Sequence, residues 1–457
     1  MTPHSHKSPP AHSPAGNAHN PTTPPDPENT QPVPTSGPQF GEPTASPDPS
    51  TFVVKHGSDA QAYKILDSEK GLLKPRLFPV VQEAEPLLTL ADAIGSQGAK
   101  VEAEITAAGQ IVFHALGDTG NTVGPQDEDS VTDKMVSDFD ETNTADVPSF
   151  CFHLGDVVYS FGEAEYYYDQ FYDPFRNYPA PIFAIAGNHD GMVAPNVTTP
   201  TLQAFLDNFC AGPGFHRTPE AGGLARTAGI QPAVYFTLQA PFVRILSLYS
   251  NCLEDPGVIS SQKGATQTYS YLPDAQLAFL EAALKRAKNE KFAGAILIAV
   301  HHPPFVAVTG SSQTSPAAGK HFGSPLLLAD IDAVCADTGV WPHAVLSGHA
   351  HNYQRFTRSL GGLETPFLVA GNGGHAHNSL TKKGQPALRT PIVEPALSNG
   401  KDSVTFESYD DQDFGYLRIV VNSTQMRIEY HPASDGPNSK TADDVVTVNL
   451  ASRTLSS

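Results

Sequence analysis

Five short apolar runs in this 457-residue chain each stop at residues able to bind a metal ion. The first ends at Asp118 in GDTGN and the second at Asp156 in GDVVY, with Tyr159 three residues further on. The third ends at Asn188, His189 and Asp190 in GNHD, the fourth at His301 and His302 in HHPPF, the last at His349 and His351 in GHAHNYQR. Each piece alone is weak, because a Gly-Asp pair after a strand is most often a turn and a His-x-His is ambiguous. Together they supply carboxylates, an amide and imidazoles in numbers that exceed what one ion takes while keeping a position open for water. A carboxylate with two oxygens can bridge two ions, and two-metal sites hold them about 3.5–4 Å apart. The expectation is a binuclear centre.

The elements that must position these residues follow from the same runs. Segments 109–118, 149–156, 180–190, 242–251, 294–302 and 342–351 have the length and Val, Ile, Phe and Leu content of buried strands. Between them, 163–175 places Tyr168, Phe171, Tyr172 and Phe175 on one helical face, and 274–290 is a second amphipathic stretch. Strands alternating with helices predict an α/β layered fold, whose ligands gather outside the carboxyl ends of the strands. Residues 414–432 read as two strands joined by a turn at Asn422–Gln425, and 443–450 as a further strand, giving an antiparallel edge or a second sheet.

The N-terminal part differs. Residues 1–50 hold 14 of the 41 prolines and no aromatic before Phe40, which predicts a disordered tail, with His4, His6, His12 and His19 solvated in it. It shows no recognisable secretory leader, so the expectation is a soluble protein, the cytoplasm favoured and secretion the alternative. Residues 51–108 read as an N-terminal extension of uncertain structure, and 109–457 as the catalytic domain. The longest apolar run, 292–300, is far short of a bilayer span.

A formal charge of −20 argues against a nucleic-acid or anionic-membrane surface. Any phosphate-bearing substrate would need a local positive field, which two cations provide. The four cysteines do not make a disulfide framework or a zinc ribbon. Cys151 and Cys335 fall in a strand and a helix as buried thiols. Cys210 and Cys252 could pair, but spacing alone does not show the geometry. A P-loop is excluded, since AAGKH has Thr314 where that motif needs its first glycine.

The ordered set GDTG, GDVVY, GNHD, HHPPF and GHAHNYQR resembles the calcineurin-like metallophosphoesterases, and within them the purple acid phosphatases, over roughly residues 109–435. The resemblance implies a four-layer sandwich, two mixed sheets flanked by helices. It implies a first metal on Asp118, Tyr159, His351 and a shared Asp156, and a second on Asp156, Asn188, His301 and His349. His302 is then a neighbour of the ligands. His189 matches the residue that hydrogen-bonds the phosphoryl oxygen, with Asp190 orienting its imidazole. Most members of the superfamily open with Asp-x-His, where this chain has Gly120. The purple acid phosphatases supply the missing ligand with the tyrosine of Gly-Asp-x-x-Tyr, matched by Tyr159. A phenolate suits Fe(III), leaving Fe(II), Zn or Mn for the second position.

The implied activity is hydrolysis of phosphate esters, phosphomonoesters first. The alternatives are a phosphodiesterase with a divalent Mn or Zn pair and, in a different class, a metal-binding protein without catalysis. His375 and His377, in GNGGHAHN, are candidates for substrate contact, whereas His114, His153 and Trp341 read as packed residues. The separate N-terminal β domain of the plant members has no clear equivalent before residue 109, and 191–290 aligns with no family substrate residue.

Overall fold

The computed structural model describes residues 77–456, apart from short stretches at 122–123, 140–143, 160, 194–199, 211–218, 222–223, 225–227, 229, 263–268, 309–320, 382–383 and 395–401. The Pro-rich segment 1–50 and the first part of the extension, 51–76, lie outside the described residues.

Two mixed sheets form the frame. The larger contains β1 (Leu87–Thr89), β5 (Phe236–Ala240), β6 (Val243–Leu248), β7 (Ala295–Val300), β8 (Ala344–Ser347), β9 (Tyr353–Leu360), β10 (Leu363–Ala370), β11 (Ile392–Val393) and β12 (Asp402–Asp410). Their order is β1-β5-β6-β7-β8-β10-β9-β12-β11. The smaller contains β2 (Gln110–Leu116), β3 (Cys151–His153), β4 (Ile182–Ala184), β13 (Gly415–Asn422), β14 (Gln425–Pro432), β15 (Asp444–Asn449) and β16 (Leu455–Ser456), ordered β16-β15-β14-β13-β2-β3-β4. The parallel centres are β2-β3-β4 in one sheet and β6-β7-β8-β10 in the other. These strands are the continuous apolar runs of the sequence, as burial on both faces requires.

The sheets face each other across one apolar core. Phe113, Ala115, Phe152, Leu154, Phe183 and Ile185 from the smaller sheet meet Ile245, Leu297, Ala299, Leu346 and Leu368 from the larger. On the outer faces, Val131 and Met135 of helix Gln126–Val136 cover the smaller sheet's side. Phe279, Leu280 and Leu284 of helix Ala275–Asn289 pack with Ile331 and Cys335 of helix Pro325–Thr338 over Ile296 and Ile298. This is the expected four-layer sandwich.

The C-terminal strands match their sequence reading. β13 and β14 turn at Asn422, whose Oδ1 accepts from the amides of Thr424 and Gln425 at 2.8 and 2.9 Å. β13 pairs antiparallel with β2, so these strands extend the smaller sheet. The described part of the extension is woven into the sandwich. β1 runs parallel to β5 at the edge of the larger sheet, and Leu90 and Ile105 enter the core between the sheets.

Segment 163–175 departs from a regular helix. A 3₁₀ turn at Ala164–Tyr166 is followed by a π turn at Tyr168–Tyr172, closed by the Asp173 amide on the Tyr168 carbonyl at 2.8 Å. The widened turn rotates the face, so Tyr166 and Tyr167 are buried with Phe171, Tyr172 and Phe175 while Tyr168 is half-exposed. All four cysteines are free thiols, and burial pushes Cys210 and Cys335 up to about 12. Trp341 packs half-buried against the core. No helix among the described residues is long and apolar enough to cross a membrane.

Candidate metal centre

Asp118, Asp156, Asn188, His301, His349 and His351 lie within four residues of the carboxyl ends of β2, β3, β4, β7 and β8, with Tyr159 a little further on. Three of them leave their strands in the left-handed region, with φ of 57° at Asp118, 52° at Asp156 and 70° at His349. Such conformations cost on the order of 1–3 kcal/mol each and persist only where the surroundings fix them. Here they reverse the backbone so that each side chain turns across the end of the sheet. The turns are bonded to one another: the Asp118 amide donates to Gly155 O at 2.9 Å, the Gly348 amide to His301 O at 3.0 Å, and the His349 amide to Asp118 Oδ2 at 2.7 Å.

The side chains form two clusters that meet at one atom. In the first, Tyr159 Oη lies 3.0 Å from Asp118 Oδ1, 3.0 Å from Asp156 Oδ2 and 3.3 Å from His351 Nε2. In the second, Asn188 Oδ1 lies 3.1 Å from His301 Nε2 and 2.9 Å from His349 Nδ1, while His301 Nε2 is 3.2 Å from Asp156 Oδ2. Asp156, His301 and His349 each bring a donor atom within 4.8 Å of the others. Asp156 Oδ2 therefore belongs to both clusters.

These separations suit metal ions. Donors on adjacent vertices of an octahedral sphere with bonds of about 2.0–2.2 Å lie about 3 Å apart. Tautomers agree as well. His301 Nδ1 donates to Leu154 O at 2.8 Å, which leaves the Nε2 lone pair for the cluster. Asn188 turns its oxygen to the donors, and its buried Nδ2 has no acceptor among the described residues.

The electrostatics point the same way. Burial, then the Asp156 charge, pushes the Asp118 carboxyl well up, although His301 opposes it. Burial also works against the charge on Asp156, but His301 and His189 hold that carboxyl well below its usual range. His301, with burial opposing, is raised to about 9 by Asp156 and Asp118. Burial and the same two carboxylates push the Tyr159 phenol well up. A set of acidic donors packed this closely, with no lysine or arginine bonded to it among the described residues, is reconciled by cations.

Behind the donors, His302 bonds Ser250 Oγ at 2.7 Å and Leu253 O at 2.8 Å, and burial pushes it down to about 3. Both its nitrogens are used, so the first histidine of HHPPF is the one facing the cluster. His114 bonds Asp138 and Tyr178, and His153 bonds Thr119 Oγ1 at 3.0 Å, both fully buried.

His189 is buried with its ring 4.4 Å from that of Tyr159. Asp190 departs from expectation. Its carboxylate accepts from the amides of Gly187 at 2.8 Å, Val157 at 3.1 Å and Val158 at 3.3 Å, not from the imidazole. These amides outcompete a side-chain partner because the short helical turn at Asn188–Gly191 aims the carboxylate back at its own N-terminus. Asp190 locks the Asp156 turn to the Asn188 turn.

His375 and His377 separate. His375 lies flat on the Tyr159 ring, centroids 3.5 Å apart, with Nδ1 donating to Gly120 O at 2.6 Å, and burial pushes it down to about 4. His377 points away and stacks on Phe414.

The sequence did not signal several neighbours. His321 Nδ1 lies 3.1 Å from His349 Nε2 and 3.7 Å from Glu254 Oε1, and Asp255 Oδ1 is 3.8 Å from His349 Nε2. Neither NCLEDPG nor GKHFG carries a motif. Gln170 clamps Tyr159, accepting from its amide at 2.8 Å and donating to its carbonyl at 3.1 Å. A lone glutamine in an aromatic run was the available clue.

Strand ends carrying two donor clusters, on a sandwich of two mixed sheets, define a metallophosphoesterase-type protein. The family model of the calcineurin-like phosphoesterases matches residues 111–353, and the chain belongs to that family. Among solved structures it is similar to the purple acid phosphatase PPD1 from yellow lupin (Lupinus luteus) seeds, at 18% identity and a TM-score of 0.47, over 74% of this chain and 54% of that one. This chain thus spans about half the length of the lupin protein. It is also similar to PhoD (13%, TM-score 0.45, 76% and 71%) and to GAP50, the anchor in the inner membrane complex of Plasmodium (12%, TM-score 0.44, 74% and 89%). No curated protein matches the chain.

Proposed function

We propose that this protein hydrolyses phosphate esters, phosphomonoesters first, at a pair of metal ions held by the two donor clusters. The observation that carries the reading is Asp156 Oδ2, 3.0 Å from Tyr159 Oη and 3.2 Å from His301 Nε2. One carboxylate shared in this way is what two adjacent ions require.

Asp118, Tyr159, His351 and Asp156 would hold the first ion, and Asp156, Asn188, His301 and His349 the second. When bound, such a pair acidifies water and offsets phosphoryl charge. The phenol of Tyr159 favours Fe(III) in the first position, with Fe(II), Zn or Mn in the second. His189 would donate to a phosphoryl oxygen, and Asn188 Nδ2, with no partner among the described residues, would be a second donor to it. Asp190 keeps both residues in place through the loop.

A phosphodiesterase is the second reading, favoured by one observation. Glu254 and Asp255 approach the centre beside His321 and His349, and two carboxylates there disfavour a dianionic monoester more than a monoanionic diester.

The test is a panel of aryl phosphate monoesters and diesters, run on protein loaded with Fe(III) plus Zn and with Mn alone. Monoester turnover with the mixed pair supports the proposal. Diester turnover with Mn alone supports the second reading, and metal binding without either activity would leave a non-catalytic protein.

A further inference from the structure

The loop after β10 lies alongside the Asp118 turn. The Gly373 amide donates to Gly117 O at 3.0 Å, the His375 amide to Asp118 O at 3.0 Å, and Asn121 Nδ2 to Gly374 O at 2.6 Å. A methyl group at Gly373 would lie 2.4 Å from Gly117 O, so the two segments cannot separate or slide without breaking several bonds at once. From this anchored loop His375 projects over Tyr159, its own Nδ1 held by Gly120 O at 2.6 Å.

The rings are 3.5 Å apart and 6° from parallel. Aromatic pairs left to their own electrostatics prefer offset or edge-to-face arrangements. A face-to-face pair is therefore imposed, here by the backbone anchors on either side of His375. The His189 ring, with its centroid 4.4 Å from that of Tyr159, is tilted by 43°, which does not define a plane. Gln170 fixes the Tyr159 backbone at both its amide and its carbonyl but leaves the ring free to rotate.

We propose that His375 is a positioning residue for the Tyr159 phenol, setting the plane of the ring and so the direction from which Oη meets the first metal position. The assignment rests on the reading of Tyr159 as a ligand. Overlap between a phenolate oxygen and a metal depends on the ring's orientation about the carbon–oxygen bond, so the colour of the Fe(III) protein reports the angle that His375 imposes.

The experiment compares visible spectra of the Fe(III)-loaded full chain as wild type, His375→Leu and His375→Phe. Leucine fills the space without a flat face, and phenylalanine restores the face without the bond to Gly120. His375→Leu is expected to retain iron with roughly tenfold weaker affinity, as for other residues that orient ligands, and to shift and broaden the charge-transfer band. His375→Phe is expected to return the band towards wild type. A band in His375→Leu that superimposes on wild type overturns the inference, and so does a His375→Phe band displaced as far as that of His375→Leu. A wild-type iron protein with no band at all overturns the Tyr159 assignment itself, and the inference with it. A wild-type band that Tyr159→Phe abolishes and His375→Leu leaves untouched overturns the inference alone.

Discussion

Gly120 and Tyr159 compete for the same space. A methyl group on Gly120 would stand 3.2 Å from Tyr159 Cδ2, 2.5 Å from Gln170 Oε1 and 2.7 Å from Val157 O. The position where the superfamily's first motif usually carries histidine is thus closed to any side chain once Tyr159 and its glutamine clamp are present. Gly120→Ala should displace the Gln170 amide or the phenol and weaken binding at the first metal position by roughly 10–100-fold, the range for residues that orient metal ligands. Metal titration of the variant checks this, and unchanged affinity would mean that the clamp gives way without moving Tyr159.

Gly187→Ala alters no donor, yet its methyl group would fall 2.1 Å from Asp156 Oδ1. That oxygen accepts from the His189 amide at 2.9 Å, so the shared carboxylate must rotate or the Asn188 turn must retreat. Both metal positions should lose occupancy together while the circular dichroism of the sandwich persists. Retention of full metal content would show that the turn is softer than its hydrogen bonds suggest.

The two histidines of HHPPF should behave differently. His301→Ala removes the nitrogen that faces Asp156 and Asn188 and should empty the second position. His302→Gln removes a ring bonded to Ser250 and Leu253 and should keep the metal content, at a stability cost of about 1–3 kcal/mol for the disturbed buried bonds. Elemental analysis and denaturant unfolding of both variants decide it. Metal loss confined to His302→Gln would reverse the assignment.

Within the smaller sheet, on β14 between β13 and β15, Glu429 accepts from His431 Nε2 at 3.2 Å, Arg427 Nε at 2.5 Å and Arg418 Nη1 at 3.1 Å. Burial works against its charge, but His431, Arg427 and Arg418 bring it down from 4.5 to about 2. A depressed carboxylate stabilises the fold above its unfolded pKa, and that contribution is lost as the pH falls from 4.5 towards 2. Glu429→Gln should cost on the order of 2 kcal/mol at neutral pH, with the gap narrowing steadily below about pH 4.5. Unfolding curves across that range test the sign, and a gap that widens on acidification would contradict it.

The parts legible in the sequence are those written locally. Strands buried on both faces must be continuous apolar runs, so β2, β7 and β8 were visible with their terminal donors, and Asn422 marked the β13–β14 turn. Other features depend on partners distant in the chain. Asp190 bonds Val157 across 33 positions, so nothing near it showed that backbone amides would take its carboxylate. His321 meets His349 across 28 positions, from the segment just before helix Pro325–Thr338. The π turn at Tyr168–Tyr172 was hidden because aromatic spacing fits an α-helix nearly as well as the wider turn. His375 sat in a glycine-rich loop whose position beneath Tyr159 is set by its pairing with the Asp118 turn.

The shared carboxylate is the centre of the account, and metal stoichiometry of wild type and Asp156→Ala, measured beside phosphate-ester turnover, tests it most directly. Two ions per wild-type chain, with both ions and all turnover lost in Asp156→Ala, is the expected result. An active wild type holding a single ion, or an Asp156→Ala variant that keeps both ions and near-normal turnover, would contradict it.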